Sequence, residues 1–265
     1  MSGLSKNNAR IRELRKIIKN HKERSKSGKF AIEGLELLRE SIATGHSPID
    51  VFLSESSDLG GTVEALIQET EAKLWRVGDG LIASIASTVT PQPVIATLQN
   101  LDSPIADVMS RKPTFLLVGI EINEPGNAGS IIRSAASSGA HGVIFSNNSV
   151  DIYNPKTVRS SAGAIFRVPV VRGGETSEII KQLKEQNLNL VGLSGKGTET
   201  YTDIDFLNPF AVFLGNESRG LDSIVMKDMD QLAVIPMDAG VESLNVSTAA
   251  SVASFEAKRQ RSATR

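Results

Sequence analysis

In the second half of the chain, three apolar runs with strand character each end abruptly in a loop of Gly, Asn, Ser and Glu. The three segments, each a predicted strand followed by its loop, are 116–133, 210–221 and 232–247. Parallel strands of an open α/β sheet present their carboxyl ends at one edge, and ligands bind there. The pattern therefore predicts an α/β fold in which three loops meet in one composite site.

Strands and helices alternate regularly over residues 114–265. The strands are predicted at 114–120, 142–146, 188–193, 210–214 and 231–236, with a further short strand at 168–171. The helices are predicted near 127–138, 154–162, 175–186 and 244–260. This alternation predicts a mostly parallel sheet with helices on both faces.

The first hundred residues show a second, smaller alternation. It begins with an amphipathic helix at 7–20, in which four apolar residues recur at helical spacing between basic ones. The elements predicted after it are strand 29–34, helix 35–43, strand 49–53, helix 61–71, strand 74–77, helix 79–86 and strand 94–97. We therefore predict a small α/β domain over residues 1–100, a linker with two prolines over 101–113, and a second domain over 114–265.

The charge of the chain is distributed unevenly. The net charge is −1, yet residues 1–30 hold ten Lys and Arg against two Glu, which leaves 19 basic and 28 acidic residues elsewhere. A positive segment on an acidic body is typical of proteins that bind a polyanion. We expect Arg10, Arg12, Arg15 and Lys16 to bind nucleic acid; a solvated amphipathic helix is the alternative interpretation.

Composition excludes several classes of function. The chain has no cysteine, which excludes disulfides, thiolate metal sites and thiol catalysis, and with three histidines we expect no metal site. No apolar run reaches the roughly 18 residues that span a bilayer, and the N-terminus has no apolar signal core. We expect a cytoplasmic protein without a membrane partner.

Three sequence motifs run in order through the second half of the chain. They are Asn-Glu-Pro-Gly-Asn-Ala-Gly-Ser-Ile-Ile-Arg from Asn123, Leu-Gly-Asn-Glu-Ser-Arg-Gly-Leu from Leu214, and Ile-Pro-Met with Glu-Ser-Leu-Asn-Val-Ser between Ile235 and Ser247. Together they resemble the motifs of the SpoU (TrmH-like) family in the SPOUT superfamily, whose members transfer a methyl group from S-adenosylmethionine to a ribose 2′-oxygen of RNA. The resemblance covers residues 114–260.

The resemblance implies more about the fold than periodicity does. It implies a deep trefoil knot in the second domain and a homodimer, with the small residues of the last helix near the partner. Phe-Ala-Ile-Glu-Gly from Phe30, with the Leu-Leu-Arg-Glu that follows, is similar to an L30e-like substrate-binding domain found in many family members. That domain favours ribosomal RNA over transfer RNA as the substrate.

The second and third motifs predict the cofactor site. Adenine requires apolar surface on its faces and backbone groups at its edge, and Gly215 would allow a close approach of the backbone. By the resemblance, Gly215, Ile235 and Leu244 contact S-adenosylmethionine. The full set of residues that we expect to bind the cofactor is Leu214, Gly215, Asn216, Ile235, Met237 and Leu244.

The catalytic residues are expected in all three motifs: Asn127, Arg133, Glu217, Ser243 and Asn245. Arg133 lies among apolar residues, where burial would be costly without a partner. A guanidinium stays protonated at neutral pH and therefore cannot accept a proton as a base. We expect Arg133 instead to bind the target phosphate and stabilise charge on the 2′-oxygen. A structural salt bridge to Glu217 or Glu121 is the alternative.

The other expected catalytic residues also have structural alternatives. The helix that starts near Asn127 could hold an RNA phosphate at its N-terminus, or Asn127 could cap that helix. Glu217 could orient Arg133 or a neighbouring loop. Ser243 and Asn245 could bind the substrate ribose or cap the last helix.

The segment Asn154–Gly163 adds Lys156 and Arg159 after the second strand of the second domain, where they could bind RNA or remain solvated. A thiostrepton-resistance branch of the family has an arginine just before the matching glycine, whereas this chain has Ala162. This departure argues against assignment to that branch. We predict an S-adenosylmethionine-dependent 2′-O-methyltransferase of ribosomal RNA. The alternatives are a transfer RNA methyltransferase, an inactive RNA-binding or ribosome-assembly factor, and an unrelated nucleotide-binding enzyme.

Overall fold

The computed structural model describes residues 4–238 and 243–263, so the segment 239–242 of the third motif lies outside the described residues. The chain forms two compact units. The first comprises Met1–Leu101 and Tyr153–Phe166, and the second comprises Asp102–Ile152 and Arg167–Arg265. The prediction had assigned 153–166 to the second domain and 101–113 to a linker.

The elements follow one another in nearly the predicted order. Up to residue 110 they are α1 (Ala9–Lys19), α2 (His21–Ser27), β1 (Lys29–Glu33), α3 (Leu35–Ala43), β2 (Asp50–Ser54), α4 (Gly60–Ile67), β3 (Lys73–Val77), α5 (Asp79–Ile85), β4 (Val94–Gln99) and α6 (Ile105–Ser110). After it they are β5 (Phe115–Gly119), α7 (Pro125–Ser138), β6 (Gly142–Phe145), α8 (Pro155–Ser160), a 3-10 turn (Ala164–Phe166), β7 (Val170–Arg172), α9 (Thr176–Glu185), β8 (Asn189–Leu193), β9 (Glu199–Thr200), β10 (Phe210–Leu214), α10 (Ser223–Lys227), β11 (Gln231–Val234) and α11 (Val246–Ala263).

Within the described residues, the first unit contains a four-stranded sheet in the order β1-β4-β2-β3. Strand β4 runs antiparallel to both of its neighbours, and β2 and β3 are parallel. The apolar face of α1 packs into the core of this unit, where Ile11, Leu14 and Ile17 are at most 1% exposed. The basic N-terminal segment is therefore part of a folded domain and not an extended arm.

Arg24 shows why the N-terminal charges differ in role. It is 4% exposed and donates hydrogen bonds to the carbonyl oxygens of Ile17 and Ile18, at 2.7 and 3.1 Å. These carbonyls belong to the last turn of α1, which lacks partners inside the helix. Arg24 thus closes the end of α1, whereas Arg12 and Lys16 are exposed.

Aromatic contacts explain why residues 153–166 belong to the first unit. The ring of Tyr153 lies 4.8 Å from that of Phe30, and the ring of Phe166 lies 6.4 Å from it. Between these two anchors, α8 packs against β1. Lys156 and Arg159, which lie on α8, therefore belong to the first unit.

The second unit is built on a sheet whose order over the described residues is β7-β6-β5-β10-β8-β11-β9, with every pairing parallel. This confirms the predicted mostly parallel sheet. Residues Leu116 and Val118 of β5 face a core that includes α9 and α10. Helices α7 and α11 pack side by side, and Arg261 of α11 lies over the rings of Phe115 and Phe210, at 5.9 and 5.2 Å from their centroids.

The register between β5 and β10 shows where the predicted site lies. Strands β5 and β10 are neighbours, with Gly119 opposite Leu214. The loops that follow them, which carry the first and second motifs, therefore leave the same edge of the sheet. The knot and the L30e-like classification stay predictions.

Candidate active site

A cavity of about 540 Å³ lies where β8, β10 and β11 end. All six residues predicted to bind the cofactor line it: Leu214, Gly215, Asn216, Ile235, Met237 and Leu244. Glu217 and Ser243 also contribute to the wall. The loops of the second and third motifs thus form one concave surface, as predicted from the ends of their strands.

Part of the cavity wall was missed by sequence reasoning. Leu193 at the end of β8 and the next residues, 194–196, line the cavity, together with Met226 of α10 and Ala249 of α11. The signal was present, because Leu193-Ser-Gly-Lys-Gly is a fourth strand that ends in a polar loop. Met226 and Ala249 carry no comparable signal, since their side chains reach the cavity through packing that periodicity does not encode.

Gly215 is required by the loop itself. A Cβ at this position would lie 2.1 Å from the carbonyl carbon of Gly220 and 2.2 Å from the nitrogen of Leu221. The close approach predicted for a cofactor is therefore made first by the backbone of its own loop. Two backbone hydrogen bonds between Asn216 and Gly220, of 3.1 and 2.8 Å, close the same turn.

The Asn216 side chain stabilises this turn from within. It is 8% exposed, and its Oδ1 accepts hydrogen bonds from the backbone N–H groups of Ser218 and Arg219, at 3.0 and 3.2 Å. Its Nδ2 donates to the carbonyl oxygen of Glu121, at 2.9 Å. The amide therefore shapes the wall of the cavity and joins it to the end of β5.

Glu217 binds the N-terminal end of α7. Its carboxylate accepts hydrogen bonds from the backbone N–H groups of Asn123 and Glu124, at 3.1 and 2.9 Å, and from Nδ2 of Asn127, at 3.0 Å. Burial raises the pKa of Glu217, but hydrogen bonds from the Asn127 side chain and from backbone N–H groups outweigh burial and hold that pKa below its ordinary value. The carboxylate is thus ionised and complements the positive end of the helix dipole.

The helix N-terminus is consequently not an open anion site. The chain's own Glu217 carboxylate occupies it, and Glu124 accepts from Gly126 N–H, at 3.4 Å, as the N-cap of α7. Asn127 does not cap the helix, because α7 begins at Pro125. Both expectations for this helix end, a phosphate site and an Asn127 cap, are therefore wrong.

Asn127 instead links the three motifs. It is 7% exposed, donates to Glu217 of the second motif, and accepts a 2.9 Å hydrogen bond at Oδ1 from Nδ2 of Asn245 in the third. Asn245 Oδ1 then accepts from the backbone N–H and the hydroxyl of Ser247, at 2.8 and 2.7 Å. A continuous hydrogen-bond network therefore holds Asn127, Glu217 and Asn245 together.

Ser243 and Asn245 of the third motif have separate roles. The carbonyl of Asn245 accepts from Ala249 N–H, at 2.9 Å, and its side chain accepts from Ser247, as an N-cap does. Ser243 is exposed and lines the cavity. The capping alternative thus holds for Asn245, while Ser243 faces the space where a ligand would lie.

Arg133 is exposed, although it lies among apolar residues in the sequence. Its neighbours Ile131 and Ile132 are fully buried, but Arg133 is exposed on α7 and is not among the residues that line the cavity. Within the described residues it forms no ion pair, and Glu121 pairs with Arg219 instead. The structural alternative, a salt bridge from Arg133 to Glu217 or Glu121, is therefore wrong.

The six predicted RNA-binding residues all lie in the first unit. Arg12, Lys16 and Lys156 are exposed. The guanidinium of Arg10 lies 4.4 Å from the centroid of the Trp75 ring, and Arg15 and Arg159 donate to the hydroxyls of Ser84 and Ser87, at 3.1 and 2.6 Å.

The described residues contain neither a metal-binding cluster nor a membrane-spanning helix. Across residues 4–238 and 243–263, no group of three His, Cys, Asp or Glu side chains could hold a metal ion. Over the same residues, the helices lack the length and the apolar character needed to cross a bilayer.

Comparison with known proteins decides the family. Residues 114–255 match the model of the SpoU rRNA Methylase family, and residues 8–96 match the MRM3-like substrate binding domain. The chain belongs to the SpoU family. Its two matched regions agree with the two alternating patterns predicted from the sequence, and its hydrogen-bonded network is built from the three SpoU motifs.

Similar proteins are spread over several bacteria. The chain is 29% identical to a 23S rRNA uridine 2′-O-methyltransferase of Streptomyces viridochromogenes, over 97% of this chain and 92% of the relative. It is 28% identical to a 23S rRNA guanosine 2′-O-methyltransferase of Bacillus subtilis, over 94% and 95% of the two chains. The crystal structure of the SpoU methyltransferase AviRb from S. viridochromogenes with its cofactor AdoMet superposes with a TM-score of 0.89 at 28% identity, over 98% of this chain and 100% of that chain.

Proposed function

We propose that this chain transfers the methyl group of S-adenosylmethionine to a ribose 2′-oxygen of RNA, and that its substrate is ribosomal RNA. The observation that carries the proposal is the meeting of a large cavity and the Asn127–Glu217–Asn245 network at one edge of the sheet. Similar proteins that modify 23S rRNA support the substrate class, and because they act on uridine in one case and guanosine in another, the target base stays open.

The cavity fits the cofactor in size and chemistry. Its volume of about 540 Å³ lies within the range of small-molecule sites. Leu214, Ile235, Met237 and Leu244 supply apolar surface for an adenine ring, and the turn at Gly215 exposes backbone groups beside it. When bound, S-adenosylmethionine supplies an electrophilic methyl group, so the residues of the chain need only orient the acceptor and stabilise charge.

The network suits a positioning role better than proton transfer. Glu217 already accepts three hydrogen bonds and has a lowered pKa, so it is a poor base. We assign it, with Asn127 and Asn245, to holding the three motif loops in one geometry. Ser243 lines the cavity and is assigned to the substrate ribose.

Arg133 is assigned to the RNA. It is an exposed cation without an ion-pair partner among the described residues, so its guanidinium is available to a phosphate. A guanidinium beside the acceptor stabilises negative charge as the 2′-oxygen attacks, and the proton leaves to the substrate phosphate or to water. We propose a homodimer that buries exposed surface of α7 and α11, because Phe255 of α11 is 48% exposed and both helices also expose small residues, Ser137 and Thr248.

We assign the exposed cations of α1 and α8 to phosphate contacts with RNA. Arg12 and Lys16 lie within residues 8–96, which match a substrate-binding domain, and Lys156 lies in the same compact unit. The absence of cysteine suits a reducing compartment, and the proposed ribosomal substrate suits a cytoplasmic location.

The test is transfer of labelled methyl groups to unmodified 23S rRNA by the full chain. Methylation of the 2′-oxygen removes the internal nucleophile that cleaves RNA in alkali, so we expect one alkali-resistant phosphodiester at the modified nucleotide. A substrate with a single 2′-deoxy substitution at that nucleotide should bind but accept no methyl group. Methylation of the deoxy substrate would place the acceptor on a base, and binding without any transfer would favour an inactive RNA-binding factor.

A further inference from the structure

The charged groups on the cavity wall are few and mostly of one sign. Among the lining residues that the structure describes, the ionisable side chains are those of Lys196, Glu217 and Arg219. Glu217 directs its carboxylate to the N-terminal end of α7, where three N–H groups satisfy it. The charge left to act on a ligand is therefore carried by Lys196 and Arg219, on loops that follow two different strands.

Arg219 is fixed at both its backbone and its guanidinium. Its backbone N–H donates to Asn216 Oδ1 at 3.2 Å, and its Nη2 lies 2.5 Å from the Glu121 carboxylate. Glu121 is itself anchored, because its N–H donates to the Ser146 hydroxyl, at 2.9 Å, and its carbonyl accepts from Asn216.

The ion pair itself contributes little to folding. The Arg219 side chain is 71% exposed, and exposed ion pairs stabilise proteins by roughly 0 to 1 kcal/mol. Glu121 also adopts a left-handed backbone conformation, with φ of 50°, which is uncommon for a residue other than glycine. The Arg219–Glu121 ion pair is anchored but contributes little to stability, so its main effect is to hold the guanidinium in position.

Lys196 stands on a loop that is equally well defined. The backbone N–H groups of Lys196 and Gly197 donate to the hydroxyl and the carbonyl of Ser194, at 3.1 and 3.0 Å. Gly197 lies so close to β11 that a Cβ would be 2.5 Å from the carbonyl carbon of Ala233. The Lys196 side chain is exposed and forms no ion pair within the part of the chain that the structure describes.

We propose that Lys196 and Arg219 form an anion subsite in the wall of the cofactor cavity, for a carboxylate or a phosphodiester. The inference rests on the proposed function. S-adenosylmethionine carries two cationic groups, its sulfonium and its amine, which the cations of Lys196 and Arg219 would repel. The group that these residues accept is therefore an anion, either the carboxylate of the cofactor's amino acid or a phosphate of the RNA beside the target ribose.

The two sources of the anion are separated by ligands and variants. S-adenosylhomocysteine and 5′-methylthioadenosine both carry a thioether on adenosine, but only the first has the amino acid. Calorimetric titration of both ligands is compared between the wild type, Arg219→Gln, Lys196→Gln and the double variant. Lys227→Gln is the matched control, because Lys227 is exposed on α10 and does not line the cavity.

If the anion is the cofactor carboxylate, we expect each single variant to weaken S-adenosylhomocysteine binding about tenfold and to leave methylthioadenosine unchanged. If it is an RNA phosphate, both ligands bind as in the wild type. The log–log salt slope for unmodified 23S rRNA then becomes shallower by about 0.7 to 0.9 per cation. Arg219→Lys retains a positive charge and should recover most of the loss in either case.

Unchanged ligand affinities together with an unchanged salt slope in the double variant would overturn the subsite. An equal loss for both ligands would also overturn it, because the cations would then act through the shape of the cavity. Failure of S-adenosylhomocysteine to bind the wild type would contradict the proposed function and not the subsite alone.

Discussion

At the scale of single residues, the motif side chains hold loop geometry to a degree that sequence patterns do not reveal. Both Glu217 and Asn127 were expected among the catalytic residues, with Glu217 orienting Arg133 or a neighbouring loop, and their described hydrogen bonds go to protein groups, including the loop before α7. Gly215 was expected to allow a close approach of the cofactor, yet the backbone of its own loop already packs closely against it. The motif residues could be predicted as a set because all three motifs occur together. Their hydrogen-bond partners could not, because residues such as Asn127 and Glu217 are about 90 residues apart in sequence.

Replacing Glu217 by Gln should separate folding from cofactor binding. The amide cannot accept the same three hydrogen bonds and carries no charge for the helix dipole, so we expect a loss of about 1 kcal/mol in the free energy of unfolding. Turnover should fall strongly because the loops lose their common geometry, while S-adenosylhomocysteine affinity changes little. Thermal melts, calorimetry and single-turnover rates measure the three quantities; a rate equal to the wild type would contradict the positioning role.

The lowered pKa of Glu217 predicts that the stability lost in Glu217→Gln depends on pH. Folding lowers the pKa of Glu217, so its contribution to stability is fully present above the ordinary carboxyl pKa of about 4.3 and is lost as pH falls through the folded value. The difference in melting temperature between wild type and Glu217→Gln should therefore be largest near neutral pH and shrink below about pH 4. A difference that stays constant from pH 7 to pH 3.5 would assign the effect to packing.

Gly215→Ala should damage the cavity without adding a bulky group. Its Cβ would meet the backbone of Gly220 and Leu221 at 2.1 and 2.2 Å, so the turn must open, and we expect lower thermal stability together with weaker S-adenosylhomocysteine binding. Gly195→Ala is the control, because Gly195 also lines the cavity but a Cβ there meets nothing within 4 Å. Equal effects of the two substitutions, measured by melting and calorimetry, would refute this account.

At the scale of elements, the longer strands were predictable, whereas the two-residue strand β9 and the helices α2, α6 and α10 were not. Each long strand is an apolar run closed by loop residues, and register then brought β5 and β10 to the predicted edge. Helices α2, α6 and α10 have seven, six and five residues, too few turns for a periodic pattern to appear. Helix α8 was predicted, but its place beside β1 depends on aromatic contacts with Phe30, more than 100 residues away in sequence.

Helices α1 and α2 allow structural and RNA-binding charges to be distinguished. Deleting the basic segment would remove Ile11, Leu14 and Ile17 from the core, so its charges are better tested by neutralising Arg12, Lys16, Lys19 and Lys22 together. We expect unchanged thermal stability and a log–log salt slope for RNA that is shallower by about 0.7 to 0.9 for each phosphate that the variant no longer binds. An unchanged slope would mean that these charges are only a solvated surface.

Arg24→Gln is the opposite case. It removes the same kind of charge, but Arg24 is 4% exposed and donates to two carbonyls at the end of α1. We expect a loss of about 2 kcal/mol in stability, measured by denaturant unfolding, with the RNA salt slope unchanged. A change in slope without a loss of stability would reverse the assignment of this arginine.

At the scale of the whole molecule, the family could be recognised from three motifs, while the assembly could not be deduced from them. Helices α7 and α11 pack against each other, and each carries exposed residues: Arg133 and Ser137 on α7, Thr248 and Phe255 on α11. Arg133 does not line the cavity of its own chain. A homodimer contact on these helices would bury Phe255 and place Arg133 within the assembly, so the oligomeric state and catalysis should change together.

Phe255→Asp should therefore dissociate the proposed dimer. A carboxylate introduced into a two-fold contact appears once from each subunit and is desolvated there, which opposes association. Light scattering after size-exclusion chromatography should show the wild type at twice the mass of the variant, and the variant should bind S-adenosylhomocysteine but methylate RNA poorly. Leu207→Asp is the control, because Leu207 is 50% exposed elsewhere in the second unit and should leave the dimer intact. A wild type that is monomeric at micromolar concentration, or a dimeric Phe255→Asp, would show that α7 and α11 do not form the contact.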